Sequence, residues 1–367
     1  MGICNCIFYF TIVYISILAL FLSIPELQGH VVVLSWLNSP WSRPDEPFRY
    51  WINENQVSNF YIKSESVSLG AWIVGAQLKD IKKGSRVFVY VHGNSKDRSE
   101  FHRVRTYKIM SKIYPVIAFD YSCFSDSSCR HSLWSPPSED ELVQDLKIVI
   151  DFIHSKGVAH KDIGIMGHSL GTAIASKYLA LHPQVTIAGL MLLAPMASVP
   201  LVAFDYPVVP LLKPLTLLSH ELQMEAMRFV HIKLNSTLHL PKLNMPIFLI
   251  HGCKDIIVPV EHSKILFNAI NNRNYDLSHR GFPWHKLETF DKQYIMDWFK
   301  KEKHIDWDHP IYKQSKTFEY YKNGKNSFLN LFFATHNDIE SFDLFEEYFH
   351  DFADTIFPDR FKAPKLK

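Results

Sequence analysis

Gly167-His168-Ser169-Leu170-Gly171 stands between an apolar run, DIGIMG, and a small-residue stretch, SLGTAIASKYLALH. A G-x-S-x-G pentapeptide at a strand-to-helix turn holds its serine in a strained conformation with the hydroxyl exposed. Its glycines keep side chains out of the neighbouring strand and helix. A serine hydroxyl is a weak nucleophile, so it needs an imidazole base and a carboxylate to hold that base in one tautomer. In this arrangement the three residues follow in the order Ser, Asp, His. The acid is expected at Asp255, which directly follows the apolar run PIFLIHG. Asp205, Asp276 and Asp291 follow no core strand so closely. The base is expected at His285, in a loop ahead of an amphipathic stretch, with His279 as its rival and His262 too close behind the acid. An oxyanion needs two backbone N–H donors, and losing one costs roughly 3 kcal/mol or more. They are assigned to Asn94, in the His92-Gly93-Asn94-Ser95 turn after RVFVYV, and to Leu170, the residue after the nucleophile.

These groups stand at strand ends, so the strands must form a sheet that brings the ends together. VSLGAWIV (67–74), RVFVYV (86–91), YPVIAFDY (114–121), DIGIMG (162–167), IAGLMLLAP (187–195) and PIFLIHG (246–252) read as strands. Most are apolar along their whole length and alternate with helical patterns, as in a mostly parallel sheet covered on both faces. In such sheets functional groups collect at the carboxyl ends of the strands. Between two of them, Ser138 with Glu141 predicts a capping box. Leu142, Leu146, Val149, Ile150 and Ile153 then form one stripe, and Gly157 ends the helix.

The chain has 367 residues, 47% hydrophobic and 21% charged, with a net charge of +2. This is globular composition, and without a basic block it argues against nucleic-acid binding. Neither a Cys/His zinc spacing nor a cofactor motif is present, and no protein partner is implied. Cys123 and Cys129 form a disulfide or remain two free thiols; the spacing leaves both open.

Ile7 to Ile24 carries no charge, and at ~1.5 Å per residue it just spans a bilayer. It predicts an uncleaved single-pass anchor over 1–25, followed by a juxtamembrane linker over 26–60. Flanking charge is silent on its orientation. Cys4 and Cys6 would be palmitoylation sites on a cytosolic face, and the Asn235-Ser236-Thr237 sequon a glycan acceptor on a lumenal one. The main domain is expected over 61–302, with a proline-studded stretch over about 197–243 that reads as a lid or as a peripheral helix pair packed on the core. Residues 303–367 read as a C-terminal extension whose Phe342, Phe345, Phe349, Phe352 and Ile356 share one helical face.

NFYIKSESVSLGAWIV, YVHGNS, VIAFDY, GHSLGTAIA and IHGCKDIIVPVEHS, in that order, resemble the α/β-hydrolases. The branch is the membrane-anchored monoacylglycerol and lysophosphatidylserine lipases, the α/β-hydrolase domain 12 group. The resemblance covers roughly 58–300. It implies an α/β-hydrolase fold, an amino-terminal membrane helix and a lipid ester as substrate. It also implies a catalytic domain on the lumenal or extracellular side, with the endoplasmic reticulum lumen as the expected place. It gives Ser169, Asp255 and His285 the triad roles, since HKL stands where the family carries His-Lys. One stretch departs: the family's Tyr-Arg-Gly-x-Gly-x-Ser is here Tyr121-Ser122-Cys123-Phe124-Ser125-Asp126-Ser127. The leading expectation is therefore a membrane-anchored serine hydrolase of lipid esters. The alternatives are a cytosolic palmitoyl-protein thioesterase and a lipid-binding pseudoenzyme.

Overall fold

The computed structural model describes residues 2–38, 40–132, 135–205, 229–271 and 309–358. Its described strands form one ten-stranded sheet in the order β1-β2-β4-β3-β5-β6-β7-β10-β9-β8. β1 (Val57–Lys63) and β2 (Ser68–Val74) are an antiparallel pair at one edge. β3 (Val87–Val91), β4 (Val116–Phe119), β5 (Ile163–His168), β6 (Gly189–Leu193) and β7 (Ile247–Gly252) run parallel through the centre. The six apolar runs expected as strands are β2 to β7.

The central strands are buried from end to end because helices cover both faces. Alternation sends successive side chains to opposite faces. Val87, Val89 and Val91 of β3 pack in one cluster with Leu146, Val149 and Ile150 of α4 (Glu139–Ser155) and Ile174 of α5 (Leu170–Leu181). Phe88 and Tyr90 enter the other, with Val104, Tyr107 and Met110 of α3 (Phe101–Met110). Ser138 caps α4: its hydroxyl accepts the Glu141 N–H, and the Glu141 carboxylate accepts the Ser138 N–H.

The boundary expected at 302/303 is revised. β10 (Asn326–Leu331) pairs in parallel with β7, and β9 (Phe318–Asn323) and β8 (Ile311–Gln314) extend the sheet beyond it. The helix Asp343–Ile356 buries Phe345, Phe349, Phe352 and Ile356 on the second face, so its apolar stripe serves the main core. Residues 309–358 therefore complete the domain instead of extending it.

The amino-terminal part also departs from expectation. α1 (Gly2–Ser23) and α2 (Pro25–Val33) meet at 87°. Among the described residues no single helix is long and apolar enough to cross a membrane; the bent pair passes that test together, by length and composition. The region expected as a linker packs on the domain. Val33 is fully buried, and Trp72 Nε1 and Arg98 Nη2 both donate to the Pro44 carbonyl. In the region expected as a lid, α6 (Val199–Asp205) is joined to the 229–235 segment by a bond from Val199 N to Lys233 O. Residues 206–228 of that region lie outside the described residues.

Candidate active site

β5 runs into α5 with no loop, and Ser169 takes the turn between them at φ 51°, ψ −120°. A non-glycine residue there is strained, and such strain gathers at functional sites. Both neighbouring glycines are sterically required. A Cβ on Gly171 would lie 2.0 Å from the Val91 carbonyl oxygen of β3, and one on Gly167 would lie 2.8 Å from the Gly171 oxygen. Leu170 begins α5, where backbone N–H groups have no carbonyl in a preceding turn.

The turn after β3 lies against the serine: a Cβ on Gly93 would be 3.1 Å from that of Ser169. Arg103, which is buried, fixes this turn from below. Its guanidinium donates to the carbonyls of Asn94, Ser95 and Asp97 at 3.2, 2.9 and 2.9 Å. Ser95 and Lys96 have positive φ, which turns the chain sharply over α3. Asn94, Ser169 and Leu170 then border one cavity. Burial and the nearby Arg103 charge hold His92 well below the usual imidazole range, so it is a neutral packing group.

Asp255 follows β7 directly and is 6% exposed. A carboxylate this buried needs hydrogen bonds. Its Oδ1 accepts the N–H groups of Ile257 and Val258 at 2.8 and 2.9 Å. Its Oδ2 accepts from His336 Nδ1 at 2.6 Å, and His251 Nε2 lies 3.2 Å from the same oxygen. Burial opposes ionisation here, but the hydrogen bonds from His251 and His336 outweigh it and hold the carboxyl below the ordinary range.

The other ring nitrogen of His336, Nε2, lies 2.9 Å from Ser169 Oγ. The network assigns the tautomer: Nδ1–H donates to Asp255, and Nε2 accepts the Ser169 hydroxyl. His285, expected in this position, lies outside the described residues. The place between Asp255 and Ser169 is filled by His336, and the histidine assignment is revised accordingly. His336 stands in the loop after β10, at a strand end like the other two groups. NSFLNL, with Asn326 and Asn330, is a weaker strand signal than its neighbours. The strand-end rule applied to it would have led to the histidine.

Two further contacts hold the His336 loop. His168 Nε2 donates to the His336 carbonyl at 3.0 Å. Burial, reinforced by the nearby His336, lowers His168 to about 3, so it stays a neutral donor. Gly252 lets the loop approach β7, since a Cβ there would fall 2.2 Å from the Ala334 carbonyl oxygen.

Ser169 opens on two cavities. One of about 70 Å³ is apolar, bordered by Phe21, Val32, Leu170, Met196, Val199 and Val258 among others. The other, of about 310 Å³, is polar and includes Lys96, His102, Arg103, His168, His336 and Asn337. Larger grooves of about 1070 and 990 Å³ do not reach the serine.

The loop over 121–130 is tied down by one disulfide and two sets of ion pairs. Cys123 and Cys129 form a disulfide. Asp126 pairs with the buried Arg98, which also binds Asp120, and Arg130 pairs with Asp145. Asn235, expected as a glycan acceptor, is 6% exposed, and its Oδ1 accepts the Thr237 N–H. That side chain is a buried helix cap, and the expectation of a glycan there is revised.

Residues 82–231 match the family model described as serine aminopeptidase, S33. The lysophosphatidylserine lipase ABHD12 of Danio rerio is 26% identical over 278 residues, covering 70% of this chain and 69% of its own. That of Xenopus tropicalis is 26% identical over 308 residues, covering 77% and 76%. Among solved structures, an esterase from Pyrococcus furiosus superposes with TM-score 0.53 at 16% identity, covering 87% of this chain and 94% of its own. A membrane phospholipase A gives TM-score 0.50 at 14% identity, covering 83% and 87%. The chain has the α/β-hydrolase fold.

Proposed function

We propose that this α/β-hydrolase is a serine hydrolase that cleaves carboxylic esters of lipids, of the monoacylglycerol or lysophospholipid kind, and that Ser169, His336 and Asp255 are its triad. One observation carries the reading: His336 bridges the Asp255 carboxylate and the Ser169 hydroxyl at 2.6 and 2.9 Å, where an apolar and a polar cavity meet. The lipase names of the sequence relatives agree with it.

Ser169 Oγ attacks the ester carbonyl while its proton passes to His336 Nε2. The backbone N–H groups of Asn94 and Leu170 hold the oxyanion, with the start of α5 adding favourable potential. Asp255 stabilises the imidazolium without taking its proton. The tetrahedral intermediate collapses as His336 protonates the leaving alcohol, and the acyl group stays on Ser169. A water then gives its proton to His336 and attacks the acyl carbonyl, and the fatty acid leaves with Ser169 regenerated.

In this reading α1 anchors the enzyme in a membrane, probing lipid with exposed Phe8, Phe10, Val13 and Leu20. The catalytic domain faces the lumen of the endoplasmic reticulum, where a Cys123–Cys129 disulfide persists; a cytosolic thioesterase would not keep one. Val199, Val202, Ala203 and Val230, in the region read as a lid, border the apolar cavity at the serine. A panel of monoacylglycerols and lysophospholipids, presented to the full-length protein and to Ser169→Ala, tests the function. Hydrolysis of at least one class by wild type and none by Ser169→Ala is expected. A wild type that neither hydrolyses lipid esters nor reacts with a fluorophosphonate would favour the lipid-binding pseudoenzyme.

A further inference from the structure

We infer that the elbow between α1 and α2, residues 21–33, is one wall of the acyl-chain subsite, so that the segment expected merely to tether the enzyme also selects acyl chain length. The inference rests on the lipid-esterase reading above.

The two cavities at Ser169 divide the substrate by chemistry. The leaving alcohol must take its proton from His336 Nε2, so it belongs in the polar cavity that His336 borders. The acyl chain belongs on the other side of the serine, in the apolar cavity, which His336 does not border. Four residues of that cavity come from the elbow: Phe21 from the last turn of α1, and Gln28, Val31 and Val32 from α2. Val199, Val202 and Val230, from the expected lid region, border the same cavity.

This wall is fixed to the catalytic loops. The Val33 carbonyl accepts the Ser95 N–H at 3.0 Å, and the Leu37 carbonyl accepts the Lys96 N–H at 2.7 Å. Asn94 Nδ2 donates to the Val32 carbonyl at 3.2 Å. The turn that carries the proposed oxyanion donor thus hangs from the amino-terminal segment at three successive residues.

Gln28 locks the elbow. Its side chain belongs to a residue only 1% exposed, where an unsatisfied amide would be costly. Nε2 donates to the carbonyls of Phe21, Leu22 and Phe229 at 3.2, 3.1 and 2.7 Å, and Oε1 accepts the His231 N–H at 2.8 Å. One amide therefore joins the end of α1 to the strip that carries Val230, which borders the same cavity. At about 70 Å³ the cavity holds only the first carbons of an acyl chain. Small-molecule sites usually measure about 300 Å³ or more. A longer chain outgrows it, so the residues that border it, Phe21 and Val31 of the elbow among them, decide how much chain is admitted.

The test uses the full-length protein in detergent, with p-nitrophenyl acetate and p-nitrophenyl dodecanoate as probes. The quantity read is the ratio of kcat/KM for the long ester to that for the short one. Val31→Trp fills the subsite and should lower the ratio about tenfold or more, and Val31→Ala widens it and should raise the ratio. Ile12→Trp, on the exposed part of α1 away from the cavity, should leave the ratio as in wild type. Fluorophosphonate labelling reports that each variant keeps a folded site, and the two Val31 variants stand in for each other if one does not fold. A wild type active on both esters with an unchanged ratio in the folded Val31 variants overturns the inference alone. A wild type that cleaves neither ester overturns the esterase reading and this inference with it.

Discussion

Asp255 Oδ2 lies 2.6 Å from His336 Nδ1, and this bond joins the ends of two neighbouring parallel strands, β7 and β10. The carboxylate stays ionised through the physiological range, because hydrogen bonds from His251 and His336 overcome its burial. Its lowered pKa contributes stability that is present above the unfolded value and is lost only as pH falls through the folded one. Asp255→Asn should leave the fold intact but disturb the tautomer of His336. Turnover should drop about 10⁴-fold. Circular dichroism and steady-state kinetics on one preparation check both halves of that statement.

Gly252 sets how closely the His336 loop approaches β7. In Gly252→Ala the new Cβ would meet the Ala334 carbonyl oxygen at 2.2 Å, a backbone atom that must shift to admit it. A displacement of that order misaligns the base and should lower kcat about a hundredfold. KM and the rate on short and long esters should change in parallel, which separates this effect from a change in the acyl subsite.

Glu340 lies just beyond the His336 loop and is 6% exposed. Burial is the main cause that raises its carboxyl from 4.5 to about 7; Arg105 opposes the shift and Asp338 adds to it. Between those two values the folded chain binds more protons than the unfolded one. This group therefore lowers stability as pH rises through that window, and its cost levels off above about 7. Glu340→Gln should flatten that slope, with no gain at pH ~4 and a gain of up to about 3 kcal/mol at pH ~8. Urea melts of the two proteins across that range would show it; parallel curves would mean that the carboxyl is not held neutral.

The Cys123–Cys129 disulfide closes a short loop, with a sequence separation of 6. Constraining such a loop in the unfolded chain is worth about 2 kcal/mol. Cys123→Ser with Cys129→Ser should lower Tm by several degrees, and a reductant should lower the wild-type Tm in the same way but leave the double variant unmoved. Esterase activity at low temperature should survive, because Asp126 still pairs with Arg98.

The sheet from β2 to β7 was legible because each strand is a continuous apolar run, and Ser169 and Asp255 because they follow such runs directly. The last third of the domain was not. β8 is exposed along its length and β10 carries two asparagines, so neither has the apolar signature of a buried strand. The asparagines are satisfied within the fold: Asn326 Nδ2 donates to Asn271 and Asn330 Nδ2 to Glu319, contacts that only tertiary structure supplies. With β10 hidden, His336 had no strand end to mark it, and the resemblance pointed to His285. The amino-terminal elbow was hidden for a related reason. PELQGHVVV reads as the end of an anchor and the start of the 26–60 linker, and the role of Gln28 appears only with Phe229 and His231 beside it.

The choice of base tests the whole account. His336→Ala and His285→Ala, each made in the full-length protein, can be compared with wild type by kcat/KM on a monoacylglycerol and by the rate of fluorophosphonate labelling. His336→Ala should lose about 10⁴-fold or more in turnover and label correspondingly slowly, while His285→Ala should stay near wild type. A folded His336→Ala with near-normal turnover, or an inactive His285→Ala, would contradict the assignment of His336 as the base.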